Sequence, residues 1–247
     1  MSAFDLSLGV LPWHAPAQWL RLGWRDLTRA PLPGLFYGAC FTGMGWLLLY
    51  VFEHAAIYTL ALCAGFLLLG PFLCLGLYEV SRALEAGREP RLGPSLCAWR
   101  TRLGTMGIFG GALLIVEMLW ARASLIVFAL SFNGMPDFKG SLLALLNPAN
   151  LGFIVTYLIV AALFAGFIFA ISVVSMPMIL DRSTDAITAA LTSLRLCVTQ
   201  PGVMLLWGAV VTVVVVLAMV PGFFGLLVAG PLIDHASWHA YRAAVPR

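Results

Sequence analysis

Asp234, His235 and His239 stand close together near the C-terminal end of the chain, in the stretch GPLIDHASWHAYRAA. His235 and His239 are four apart, so they share one face of a helix. Two imidazoles at that spacing can grip one metal ion. They fill only half of a tetrahedral zinc site, and further ligands must come from elsewhere. The other histidines are His14, in the leader, and His54, at the far end of the first apolar run. Neither readily joins the pair. A haem held by two histidines takes them from facing helices. The expectation is therefore no metal, no haem and no other cofactor. Asp234, His235 and His239 should instead make polar contacts that close a helix bundle, just inside an interfacial belt formed by Trp238 and Tyr241.

Glu117 is the second candidate, near the middle of an apolar run, with Arg122 five residues further on. An ionisable group at that depth is costly and marks function by default. Five residues are about 140° apart around a helix, which is poor geometry for a mutual pair. Arg122 can snorkel outward, whereas Glu117 cannot easily do so. Three alternatives stay open for Glu117: a protonated acid, an acid bonded to another span, or an acid lining a wet cavity. The last would suit a small permease for an ion or small solute.

The third candidate is the N-terminal stretch APAQWLRLGWRDLTRAP. Arg21, Arg25 and Arg29 recur every four residues. Leu20, Trp24 and Leu27 recur on another face, with Trp19 nearby. This pattern predicts a basic amphipathic helix closed by Pro31. Such a helix lies in the headgroup layer, its tryptophans at the apolar boundary and its arginines toward anionic lipid. Plain anchoring and recognition of lipid or a partner are both open at this point.

The elements that must position these groups are membrane helices. The chain is 62% hydrophobic and 10% charged, too few charges to coat a folded surface of 247 residues. Six spans can be read: Gly34 to Phe52, Ala55 to Tyr78, about Gly104 to Leu130, Leu151 to Leu180, and two within Gly202 to Ile233, broken at Pro221-Gly222. The fourth is longer than a hydrocarbon core of ~30 Å requires at ~1.5 Å per residue, so it should tilt, kink or protrude. With both termini cytoplasmic, the inner segments hold Arg21, Arg25, Arg29, Arg82, Arg88, Arg91, Arg100, Arg102, Arg182, Arg195, Arg242 and Arg247. The outer side keeps only Lys139, in the 131 to 150 loop. That asymmetry is the positive-inside pattern. The expected architecture is all-α, a polytopic six-span bundle with an N-terminal interfacial amphipathic helix. Its parts are a leader at 1–33, a membrane domain at 34–241 and a tail at 242–247.

PLPGLFYGA from Pro31 and PGVMLLWGA from Pro201 place an aromatic-Gly-Ala at the same offset from proline. The even spans carry a small residue, a proline and then an acid: Gly70-Pro71 with Glu79, Ser175-Pro177 with Asp181, Gly230-Pro231 with Asp234. Three tandem helix hairpins would explain both patterns. So would the general frequency of Gly and Pro in membrane helices. The offsets of Pro177, Asp181 and Arg182 exclude the mitochondrial carrier pattern. The five cysteines, Cys40, Cys63, Cys74, Cys97 and Cys197, form no CxxC pair and are odd in number, which argues against a disulfide framework or zinc site. No basic cluster with interleaved aromatics points to nucleic acid, and no cleavable leader is visible.

WLRLGWRDL, SMPMILDRSTDAITAALTSLRLCVTQP and PLIDHASWHAYR together resemble the bacterial integral membrane proteins catalogued as a domain of unknown function, number twenty-one eighty-nine. The likeness runs from about residue 15 to 244. It implies a multi-span inner-membrane protein and carries no known activity. Some relatives are labelled as candidate cytochrome c oxidase components. A haem-copper subunit needs about six histidines within its spans, and this chain has four in all. An accessory place beside a respiratory complex stays open. No nucleophile-base constellation, phosphate-cradling glycine loop or dinucleotide fingerprint is present. The sequence therefore reads as a non-enzymatic membrane protein that packs against lipid, a larger assembly or a second copy of itself. The alternative is the small permease built around Glu117.

Overall fold

The computed structural model describes residues 6–55, 58–131 and 150–246, without the side chains of 60, 61, 64, 67, 68 and 101. The outer loop expected at 131 to 150, with Lys139, lies almost wholly outside the described residues. All regular structure in the described residues is helical. In chain order the helices are α1 (Ala15–Arg29), α2 (Pro31–His54), α3 (Thr59–Glu85), α4 (Leu92–Leu96), a 3-10 turn (Ala98–Arg102), α5 (Leu103–Ser131), α6 (Leu151–Ser172), α7 (Ser175–Asp181), α8 (Ala186–Thr199), α9 (Pro201–Met219) and α10 (Leu226–Ala244).

Proline sets several of these boundaries. α2 and α9 both begin on one, at Pro31 and Pro201. The first helical position needs no N–H donor, and the ring pre-sets a helical φ. α9 and α10 are separated at Pro221-Gly222, where Gly222 and Phe223 take φ of 62° and 67°. That left-handed backbone ends one helix, and the Trp46 indole donates to the Gly222 carbonyl at 2.8 Å. The long fourth run is also divided: α6 stops at Ser172, and α7 restarts after the buried Val173-Val174.

Four helical stretches are long and apolar enough to cross a membrane: Pro31–His54, Leu103–Ser131, Leu151–Asp181 and Pro201–Met219. This makes the chain a multi-pass membrane protein, and it corrects the expected six spans to four among the described residues. α3 and α10 were to carry the second and sixth. α10 falls short because its apolar run ends at Ile233, after which Asp234, His235, His239 and Arg242 follow. α3, described only in part, ends in Glu79, Arg82 and Glu85.

The chain divides into two compact units, 1–110 with 170–247, and 111–169. In the smaller unit α5 and α6 meet through Trp120 on Tyr157 and Phe128 on Phe153, with ring centroids 6.4 Å and 6.0 Å apart. α6 has no buried residue. In the larger unit α10 is central and packs on α1, α2, α3, α7 and α9. Small residues allow this. Ala236, Ala240 and Ala244 recur every four on α10, and all are buried. Opposite them, a Cβ on Gly23 would come within 2.7 Å of the Ala236 amide nitrogen and 2.8 Å of the Leu232 carbonyl. Backbones approach this closely only where one side lacks a side chain.

Candidate functional site

α1 is held on the bundle rather than lying apart from it. Its buried face is Ala15, Trp19, Gly23 and Asp26, continued by Ala30. The stripe of Leu20, Trp24 and Leu27 is not the face that packs on the bundle: Trp24 is exposed, and Leu20 and Leu27 are half-buried. Trp19, expected at the headgroup boundary, is buried edge-on against Trp207, with ring centroids 5.4 Å apart. Arg21, Arg25 and Arg29 are all exposed. The segment before α1 is also fastened. Gln200 accepts from the Leu11 amide at 2.7 Å and donates to the Gly9 carbonyl at 2.8 Å, and the Gly9 amide donates to the Ala244 carbonyl at 2.9 Å.

Asp26 is the only acid of α1, and it points into the bundle, 2% exposed. Its Oδ2 lies 2.9 Å from the Ser81 hydroxyl of α3 and 2.8 Å from His239 Nε2 of α10. Ser81 Oγ is in turn 2.7 Å from His235 Nδ1. One hydroxyl proton cannot serve two acceptors. An ionised carboxylate only accepts, so Ser81 and His239 both donate to Asp26. His235 Nδ1–H must then donate to Ser81 Oγ. The result is a chain of hydrogen bonds, His235 to Ser81 to Asp26 from His239, that ties three helices distant in sequence. The opposite ring nitrogen, His235 Nε2, is buried with no partner among the described residues.

The opening motif is thereby divided. His235 and His239 both reach the Asp26–Ser81 pair, whereas Asp234, also buried, lies beside Cys74. Among the described residues no three metal-ligating groups gather at one point. Sequence reasoning passed over Asp26 and Ser81. The signal for Asp26 was its place at the 19, 23, 26, 30 spacing with Trp19, Gly23 and Ala30, which is one helical face.

A second polar layer adjoins this chain. Arg242 grips Glu85 with two nitrogens, Nε at 3.0 Å and Nη2 at 2.8 Å, and the Trp238 indole donates to Glu85 at 3.1 Å. Tyr241 donates to Asp181 at 2.8 Å and accepts from Arg182 at 3.0 Å. Arg82 pairs with Glu79 and reaches the Leu180 carbonyl at 3.3 Å. Arg102 bonds the Ser183 hydroxyl. The polar ends of α1, α3, α7 and α10 thus meet in one arginine-rich layer. Glu117 and Arg122 belong to the smaller unit. Glu117 is half-buried and Arg122 is exposed.

Burial alone would raise the Asp26 carboxyl. The hydrogen bond and charge of His239, with the Ser81 hydroxyl, more than offset that, and it lies below its ordinary 3.8. A depressed folded value stabilises the fold above the unfolded pKa, and that stability is lost as pH falls through the folded value. The melting temperature in detergent should therefore fall below about pH 4, and it should fall less steeply in Asp26→Asn. Equal acid slopes for the two proteins would show that Asp26 is not the titrating group.

Residues 59–181, from the start of α3 to the end of α7, match the model of the family described as "Predicted integral membrane protein (DUF2189)". No curated protein and no solved structure matches the chain.

Proposed function

We propose that this chain, which belongs to the integral membrane protein family DUF2189, is a non-catalytic component of the bacterial inner membrane that packs its apolar helices against lipid or a larger membrane assembly. The observation that carries this reading is the exposed apolar surface of α5 and α6. Ile115, Ile126, Leu158 and Leu163 are 62%, 60%, 59% and 69% exposed. Surface of that kind is stable only in hydrocarbon or against another apolar face. The polar groups where α1, α3 and α10 meet, by contrast, are engaged with one another: Asp26, Ser81 and His239 in one cluster, Glu85 and Arg242 in the next. That is the economy of a scaffold held together by hydrogen bonds. Arg21, Arg25 and Arg29, exposed along α1 beside Trp24, suit contact with anionic headgroups. The arginine-rich layer then faces the cytoplasm, with both termini on that side.

Reporter fusions at the two ends should both report the cytoplasm. Purified protein reconstituted into liposomes should leave imposed proton and cation gradients intact. A periplasmic terminus would overturn the topology. A gradient that collapses in wild type and survives in Glu117→Gln would replace this reading with the permease.

A further inference from the structure

Between α1, α3 and α10 lies a cavity of about 250 Å³. Arg25, Arg29 and Arg242 line it, with His239 beside them, and Leu22 and Leu84 supply its apolar wall. Two acids also face it, and both are already engaged. Asp26 accepts from Ser81 and His239, and its nearest arginine atom, Arg25 Nε, is 3.8 Å away, longer than a hydrogen bond. Glu85 is held by Arg242 and by the Trp238 indole. The side chain of Arg25 is 49% exposed, and Arg29, in the last turn of α1, is also exposed. Arginine donors therefore converge on a recess whose negative charge is spent internally.

We propose that this recess binds a phosphate monoester. Guanidinium forks match the paired oxygens of phosphate. A monoester carries up to two charges and three acceptor oxygens near neutral pH, enough to engage Arg25 and Arg29 together. The cavity has room for a phosphate and a short linker and is too small for a nucleoside as well. Outside it, a groove lined by Arg21, Trp24 and Thr28 shares Leu22 and Arg25 with the recess. The remainder of the ligand extends along that groove past the exposed Trp24. The phosphate is the shared chemistry of two sources, a lipid such as phosphatidic acid and a soluble phosphate ester. The proposal rests on the lipid-facing reading of α1 only for the first source.

The test uses the full chain, with melting temperature as the readout. One arm is protein in neutral detergent titrated with inorganic phosphate. The other compares phosphatidylcholine nanodiscs carrying phosphatidic acid with discs carrying phosphatidylglycerol, a diester, at equal mole fraction. Phosphatidic acid should raise the melting temperature above phosphatidylglycerol. Arg25→Gln and Arg29→Gln should each weaken the response about tenfold or more. Arg100→Gln, an exposed arginine that lines neither the recess nor the groove, should keep it. If inorganic phosphate alone reproduces the response with the same variant pattern, the recess stands and its ligand is soluble. Equal responses to the two lipids, equal losses in all three variants, or no response in either arm would overturn the recess. Those results leave the non-catalytic membrane role in place, because it is tested by gradients and topology. The ligand-free melting temperature of each variant shows that it is folded, since the three side chains are exposed.

Discussion

Asp26→Ala should destabilise the detergent-solubilised protein by about 3 kcal/mol, one of the two largest effects expected of a single substitution here. The carboxylate accepts from Ser81 and His239 at once, and both donors are left facing a void in the bundle. Asp26→Asn should cost less, because an amide oxygen still accepts one of them. Ser81→Ala should fall between, leaving His235 Nδ1 without its acceptor. A double-mutant cycle between Asp26→Ala and His239→Ala should show strong coupling, because the two residues share one bond and remove the same contact. Unfolding followed by tryptophan fluorescence suits the measurement, with Trp19 and Trp238 both buried. If Asp26→Ala shifts stability by less than about 0.5 kcal/mol, the size expected of a surface change, the hydrogen-bonded chain does not hold α1 to the bundle.

The second large effect is at Gly38. A Cβ there would lie 2.0 Å from the Leu227 carbonyl oxygen. That atom is backbone of α10 and cannot swing aside as a side chain end could. Gly38→Ala must therefore push α2 and α10 apart along their shared contact, at a cost of about 3 kcal/mol or more. The control is on the same helix. Gly43 has nothing within 4 Å of its would-be Cβ. Gly43→Ala should be neutral or stabilising by up to about 1 kcal/mol, because alanine favours the helix. Thermal denaturation of the two variants side by side decides the matter. Similar behaviour of both would mean that α2 does not meet α10 where the structure places it.

Between them these residues mark what is legible in one dimension. Pro31 and Pro201 start helices, and Pro221-Gly222 ends one, because a proline ring or a left-handed glycine acts on its own neighbours whatever the rest of the chain does. Apolar runs and the clustering of arginines between them are also local, and they specify a helical membrane protein. His235 and His239 could be picked out as a pair, since four residues on a helix is a local geometry. Their partners could not. Asp26 stands 213 residues from His239, and no periodicity links the two.

The sequence also left open which side of α1 turns inward. Leu20, Trp24 and Leu27 make the more hydrophobic stripe, and a helix resting on lipid would use it. The bundle instead takes Trp19, Gly23 and Asp26. Gly23 lets α1 approach the α10 backbone, and close contact with a built hydrogen-bond partner outweighs apolar area. The same cause reduces the count of spans. Asp234, His235, His239 and Arg242 end the apolar part of α10 early, in a layer where Ser81 meets His235, Asp26 meets His239, and Glu85 and Asp181 meet Arg242. Composition and chain-local sterics determined that this protein is a set of membrane helices and where several of them begin. Only the packed structure decided which polar side chains are buried together, because that depends on close approach between helices whose contact surfaces are small residues, not on any pattern within one helix.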